Sequence, residues 1–451
     1  MLKEWVEMMP VDNEAEPGLR SFQPPTVAIE THGCKLNQAD SELIARQFRQ
    51  AGYRTVSTGQ PADVYIVNTC TVTHIADRKA RRSFRAARSR NPGALIVATG
   101  CYAQRVPREL VKVEGVDLVV ENRDKANLLE QVQTLKGDKP IPNEIGEESP
   151  CENHASASRT RAMVKIQEGC NQVCAYCIVP KVRGRERSIP LEKLIEQVNA
   201  LVSAGCLEVV LTGTQLGSYG FDIPGMNMAR LVEGILTDTP VQRLRVSSLQ
   251  PQDISSELLE LWSDPRLCPH FHIPLQSGSN TVLKRMRRRY TTELFAERVE
   301  AIRQKVHHVS ITTDVIVGFP GETEEDFQET LSFCEQMNFA DIHVFPFSSR
   351  PGTSAAYYKD KVDPTTKGQR MVRMLDLAKA QAAVFRASFI GTIRPVLWER
   401  SRVVNSKVLW PGLTDNYIRV YTQNARPLQK HLTMAELLEE EDGILHAKAL
   451  V

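Results

Sequence analysis

The residues best suited to chemistry in this chain are cysteines, and their spacing says what kind. Cys170, Cys174 and Cys177 lie in the stretch Glu-Gly-Cys-Asn-Gln-Val-Cys-Ala-Tyr-Cys. Three thiolates in a Cys-x3-Cys-x2-Cys pattern are one short of the four that close a structural zinc site or fully ligate an iron–sulfur cluster. A four-iron cluster held by three protein thiolates keeps one iron open to a ligand from outside the chain. Cys34, Cys70 and Cys101 form a second group, each just after a run with strand character. Ligands of open parallel sheets collect beyond the carboxyl ends of the strands. These three cysteines, far apart in sequence, are therefore predicted to meet at one sheet edge and hold a second metal or cluster. The competing reading is packing, because small cysteines are common in cores. Cys206, Cys268 and Cys334 show no ligand spacing and read as core residues, and Cys151 reads as an ordinary thiol.

Elements must bring such residues together, and the hydrophobic pattern supplies them. Val27–Thr31, Val64–Asn68, Leu95–Thr99 and Val116–Val120 read as strands. Helical patterns lie between them near Asp40–Ala51 and from Ala76, and a last one runs near Lys125–Leu135. This alternation predicts a doubly wound parallel sheet over residues 25–136, after a tail of residues 1–24. Residues 137–160 carry Gly, Pro and Ser turn signals and read as a linker. Over residues 161–386 the alternation resumes, with strands at Ala162–Ile166, Val209–Thr212, Arg243–Ser247, Phe271–Pro274, Ser310–Val317 and Asp341–Phe345. Six such units fit a partial (β/α)6 barrel, whose working groups belong at the carboxyl ends of its strands. The Cys170 triplet follows the first of them. From residue 387 to 451, Thr392–Glu399, Ser406–Trp410, Asn416–Tyr421 and a run near residues 443–451 read as strands of a small β-barrel. Trp398, Trp410 and Tyr417 could stack on bases there or fill its core. The expected fold class is α/β with a C-terminal all-β unit.

Bulk properties narrow the function. The chain has 451 residues, enough for several cores, and its 42% apolar and 24% charged composition is that of a globular protein. No apolar run is long enough to span a bilayer, which argues against a membrane protein. The first 24 residues lack the basic-then-apolar order of a signal peptide, which points to the cytoplasm. In that compartment the ten cysteines call for metal or catalysis rather than disulfides. Net charge is only +2, but cations cluster at Arg78–Arg90, at Lys181–Arg187 and at Lys284–Arg289. Three such clusters on a near-neutral chain point to a polyanionic partner.

Several stretches carry a resemblance. They are Thr31-His-Gly-Cys-Lys-Leu-Asn-Gln38, Val67-Asn-Thr-Cys-Thr-Val-Thr73 with Ala76-Asp-Arg-Lys79, and Gly100-Cys-Tyr-Ala-Gln104. The Cys170 motif, His272-Ile-Pro-Leu-Gln-Ser-Gly-Ser279 and Asp314-Val-Ile-Val-Gly-Phe-Pro-Gly-Glu322 complete the set. From about residue 25 onward the chain resembles the radical SAM methylthiotransferases, whose layout is a three-cysteine domain, a radical SAM domain and a TRAM-type β-barrel. The residues flanking the cysteines, with Arg288-Arg289-Tyr290-Thr291, look like the MtaB branch, which acts on N6-threonylcarbamoyladenosine next to the anticodon of tRNA. His32, where an apolar residue is expected, and His74, where Asn is common, depart from the pattern without touching a ligand position. The glycines of the TRAM-like segment are partly missing.

The resemblance implies two 4Fe–4S clusters. One, on Cys170, Cys174 and Cys177, would bind S-adenosylmethionine (SAM) and split it to a 5′-deoxyadenosyl radical. The other, on Cys34, Cys70 and Cys101, would carry sulfur, and a second SAM would supply the methyl group. Such chemistry reaches an aromatic C–H bond that acid–base catalysis does not, with the protein positioning the cofactors. By position, Tyr176 would pack on the adenine of SAM, Gly213 would let backbone approach its amino group, and Gln276 and Gly318 would meet ribose or adenine. tRNA and a low-potential electron donor of flavodoxin or ferredoxin type are the implied partners. The alternatives are a methylthiotransferase for isopentenyladenosine in tRNA, and a non-catalytic iron–sulfur protein that binds RNA. The missing fourth cysteine at both sites argues against the latter, because electron-transfer clusters are normally ligated in full.

Overall fold

The computed structural model describes residues 24–137, 160–404, 407–441 and 444–450. The N-terminal tail up to residue 23, most of the 137–160 linker and Cys151 lie outside the described residues.

The first unit is a five-stranded sheet of β1 (Thr26–Thr31), β2 (Arg54–Val56), β3 (Val64–Thr69), β4 (Leu95–Gly100) and β5 (Leu118–Val120). Every pairing is parallel and the order is β2-β1-β3-β4-β5, a doubly wound arrangement whose direction reverses between β1 and β3. Successive strand residues point to opposite faces. Val27, Ile29, Val64 and Ile66 meet Ile44 and Phe48 of α1 (Lys35–Gln50) on one face. Ala28, Tyr65 and Val67 meet Ala80, Phe84 and Ala87 of α2 (His74–Arg90) on the other. Thr73 caps α2 by accepting the Ala76 N–H, and Arg78, Lys79, Arg81, Arg82 and Arg85 stay on its exposed side. The buried His32 is accommodated by hydrogen-bond contacts to Glu30 at 2.9 Å and Ser83 at 3.2 Å.

The second unit carries β6 (Arg161–Lys165), β7 (Glu208–Thr212), β8 (Arg243–Val246), β9 (His270–His272), β10 (Ser310–Val317) and β11 (Asp341–Pro346). They form two three-stranded parallel sheets, β8-β7-β6 and β9-β10-β11, joined by bridges between Leu244 and Leu267 and between Ser248 and His272. This is the expected partial barrel. Ala162, Val164, Val209, Leu211, Phe271 and Val315 pack outward into the helix layer, so their alternates face the barrel interior. α1 of the first unit lies across that inner face, where its Ala39 packs on Met163 and Val210.

The third unit contains β12 (Ile393–Trp398), β13 (Arg402–Val404), β14 (Lys407–Thr414), β15 (Arg419–Thr422), β16 (Leu432–Glu441) and β17 (Ile444–Leu450). Pairing runs β12-β16-β17-β15-β14 and returns from β14 to β12, closing a five-stranded barrel to which β13 is appended. Trp398 is buried in its core and donates its indole N–H to Thr433 Oγ1 at 2.9 Å, so it is not placed to stack on bases. The half-buried Trp410 donates to the Asn424 carbonyl at 3.3 Å. Tyr417, in the β14–β15 turn, stacks on His270 with ring centroids 4.2 Å apart. His270 opens β9, so this turn seals the amino-terminal mouth of the larger barrel. Arg243 donates to the carbonyls of Leu413 and Thr414, and Arg245 to that of Asp415, at the same seam.

Candidate active site

The Cys170 loop follows β6 and is built on a glycine. Gly169 has φ +83°, and a Cβ there would lie 1.9 Å from the Arg185 carbonyl oxygen, so no side chain fits. The Cys170 N–H donates to the Gly184 carbonyl at 3.1 Å, the Ala175 N–H to Met286 at 2.9 Å, and the Cys177 N–H to Cys174 at 3.1 Å. Backbone bonds thus fix the loop, and Cys170 Sγ accepts the Gln172 N–H at 3.4 Å. Burial pushes the Cys170 thiol up to about 11 and Cys177 to about 12, with neighbouring thiols adding to both. As free thiols these would stay protonated, and a metal is what draws such groups into the thiolate form. Arg288 brings a guanidinium nitrogen to 3.3 Å from Cys174 Sγ and another to 3.1 Å from Gln250.

The second triplet sits beyond the carboxyl ends of β1, β3 and β4. Cys34 caps α1, Cys70 follows β3, and Cys101 opens the short helix α3 (Cys101–Arg105). Gly33, at φ +89°, presses on Cys70 so closely that a Cβ would fall 2.8 Å from its sulfur. Burial, with smaller contributions from the neighbouring Cys101 and Cys34 thiols, pushes the Cys70 thiol up to about 12. Cys101 also packs on Ile178 and Val182, immediately after Cys177, so the two locales border each other. Among the described residues neither has a fourth cysteine: Cys268 and Cys334 are buried elsewhere, and Cys206 belongs to the core of the second unit. Each donor set fits an iron–sulfur cluster with one iron free of protein ligands.

Two polar clusters fix the domains against each other. Asp40 on α1 lies 2.9 Å from Lys125, 2.8 Å from Lys165 and 2.9 Å from Arg183, which also pairs with Glu168 at 2.6 Å and with Asn37. Burial alone would raise the Asp40 carboxyl, but these three cations hold it well below the usual carboxylate range. On the other flank the buried Arg350 reaches Asp77 at 2.5 Å and Thr71 at 2.9 Å, and Arg105 reaches Asp77 at 2.8 Å.

The remaining expected contacts lie around the barrel mouth. Tyr176 packs against a cluster containing Ala175, Val282, Met286 and Phe319. Gly213 follows β7, where a Cβ would come 2.9 Å from the Gln167 carbonyl. Gln276 lies beyond β9 in a left-handed backbone conformation, its N–H donating to Asp314 at 2.8 Å. The Gly318 N–H is taken by the Glu322 carboxylate at 3.1 Å. Two features escape sequence reasoning. Arg183 and Arg288, counted with the basic clusters, turn inward, and charge density does not reveal which member of a cluster does so. His272, Asp314 and His343 come together only because their strands are neighbours.

Residues 164–334 match the radical SAM superfamily, and residues 26–121 match the family described as uncharacterized protein family UPF0004. A barrel of this kind with a three-cysteine loop after its first strand makes the chain a radical SAM enzyme. The chain is 39% identical to the threonylcarbamoyladenosine tRNA methylthiotransferase MtaB of Bacillus subtilis, over 92% of this chain and 94% of that protein. It is 40% identical to the protein of the same name from Aquifex aeolicus, over 90% and 98%. The tRNA-2-methylthio-N(6)-dimethylallyladenosine synthase of Dictyoglomus thermophilum is 34% identical, over 92% and 96%. The chain therefore belongs to the radical SAM tRNA methylthiotransferase family, which uses SAM and 4Fe–4S clusters. In fold it is similar to the radical SAM methyltransferase TsrM from Kitasatospora setae, with a TM-score of 0.56 at 14% identity, covering 74% of this chain and 77% of that one. Among the described residues no helix is long and apolar enough to cross a membrane.

Proposed function

We propose that this enzyme places a methylthio group on C2 of N6-threonylcarbamoyladenosine next to the anticodon of tRNA. The observation that carries the reading is the pair of adjoining three-thiol locales, one on each of two interlocked units. The choice of base follows the relatives: two named for threonylcarbamoyladenosine reach 39% and 40% identity over 92% and 90% of this chain, whereas relatives named for dimethylallyladenosine reach 34% over 92% and 38% over only 82%. In this reading Cys170, Cys174 and Cys177 would hold one cluster and Cys34, Cys70 and Cys101 the other, and these groups when bound would supply the radical chemistry of SAM and the sulfur. The chain's own part is positioning. The Asp40 and Arg350 clusters keep the two locales at a fixed separation, and Arg288 holds Cys174 from the barrel side. Tyr176, Gly213, Gln276 and Gly318 are the residues assigned to SAM. The exposed basic face of α2 meets phosphates, which positions tRNA without reading its sequence. Residues 25–136, 161–386 and 387–451 act as the three units of this machine. It works in the cytoplasm with a flavodoxin- or ferredoxin-type electron donor.

Mass spectrometry of tRNA nucleosides from a strain lacking the gene tests the reading. Loss of the methylthio group from threonylcarbamoyladenosine alone, restored by the intact gene and not by one encoding Cys34→Ala, is the expected result. Loss from isopentenyladenosine instead would move the enzyme to another substrate, and no loss at all would end the proposal.

A further inference from the structure

Neither cysteine locale accounts for a third group of donors inside the barrel. His272, Asp314 and His343 come from three neighbouring parallel strands, β9, β10 and β11, and their ligand atoms all lie within 4.8 Å of one another. The register explains the convergence. His272 pairs with Thr312, two residues before Asp314, and Asp314 pairs with His343. Asp314 thus shares the face of Thr312, while Val315 and Val317 point outward to the helix layer.

We propose that these three side chains form a divalent-cation site in the barrel interior, distinct from both cysteine triplets. His272 Nε2 lies 3.1 Å and His343 Nδ1 3.2 Å from Asp314 Oδ1. Around an ion with bonds of about 2.0–2.2 Å, neighbouring donors sit roughly 3.0–3.5 Å apart, so both edges fit. The outer partners fit as well. His272 Nδ1 is 2.6 Å from Ser248 Oγ, and His343 Nε2 is 3.6 Å from the Asp341 carboxylate. An outer oxygen on the far nitrogen is what sets the tautomer and orientation of a metal-bound imidazole. The His343 side chain is 48% exposed, which gives an ion a way in and leaves coordination positions open to the barrel interior. Two imidazoles and one carboxylate suit zinc, manganese or ferrous iron, and disfavour magnesium or calcium, which prefer all-oxygen sites.

The test is an anaerobic manganese titration of the enzyme with both clusters assembled and oxidised, without tRNA, following the signal of free Mn²⁺ by electron paramagnetic resonance. Mn²⁺ is chosen because it avoids thiolates. One saturable equivalent per chain is expected, displaced by Zn²⁺, and weakened at least tenfold in His343→Ala and in His272→Gln. Iron and sulfide content must stay unchanged in both variants, which separates this site from the clusters. Absence of saturable binding, or binding in both variants as tight as in the unaltered enzyme, would overturn the proposal and leave a hydrogen-bonded His–Asp–His group. The measurement is independent of substrate, so its failure leaves the assignment of the tRNA base untouched.

Discussion

Gly169 shows how far the site depends on a side chain that is not there. Its φ of +83° and the 1.9 Å approach to the Arg185 carbonyl leave no room for a methyl group. Gly169→Ala is expected to displace the Cys170 loop although it alters no sulfur. Reconstituted iron should then fall from about eight to about four atoms per chain, the second cluster being retained. Iron analysis with circular dichroism checks this, and full iron content in the variant would refute it. At this scale the Cys170 triplet stands out because its spacing is a local property of sequence, whereas Cys34, Cys70 and Cys101 stand out only because each follows a strand-like run. Arg288 was not, since whether a basic side chain points at solvent or at Cys174 depends on a fold that residue counts do not describe.

Among the elements, α1 does two jobs. It begins at Cys34, covers one face of its own sheet, and lays Ala39 and Asp40 on the inner face of the neighbouring barrel. Asp40→Ala would leave the buried Arg183 and the half-buried Lys125 and Lys165 without their shared carboxylate. Removing one partner of a buried ionic group costs about 3–5 kcal/mol, so a clear fall in melting temperature is expected. Adding Arg183→Met should recover part of the loss, a coupling that a double-mutant cycle reads directly. The pattern of apolar residues placed α1 only from Asp40, because no Ser, Thr, Asp or Asn marks the true start and Cys34 caps it without a side-chain bond. β16 was missed for a different reason. Its run Met434-Ala-Glu-Leu-Leu-Glu-Glu-Glu441 favours a helix, but pairing with β12 on one side and β17 on the other imposes a strand. The longer strands of the three parallel sheets were legible because apolar runs between helices leave little choice, whereas the three-residue β2 (Arg54–Val56) is too short to show a pattern.

For the whole molecule, the seam between the two barrels adds its own share to the pH dependence that buried carboxylates such as Asp40 also bring. Glu208 is fully buried beneath Arg243 at 2.8 Å and Arg245 at 2.9 Å, the arginines that grip the β14–β15 turn. Burial raises its carboxyl, but Arg245, Arg243 and Arg161 outweigh that and bring it to about 2. A folded-state value below the ordinary ~4.3 means a contribution that is complete above that pH and lost as pH falls toward 2. The size is about 3 kcal/mol, at 1.36 kcal/mol per unit. Melting temperature should therefore drop between pH 5 and pH 2. In Glu208→Gln the curve should be flatter and lower at neutral pH, because the arginines lose their counter-charge. A curve parallel to that of the unaltered protein would show that Glu208 does not link folding to pH.

The placement of α1 also constrains how such a chain can be inherited. An N-terminal unit recombined from one lineage onto the catalytic barrel of another brings its own Ala39 and Asp40 to a Met163, Val210, Lys165 and Arg183 it did not evolve with. A crossover within residues 137–160 therefore divides what the fold keeps as one inherited block, and functional hybrids are those in which both sides of that contact travel together.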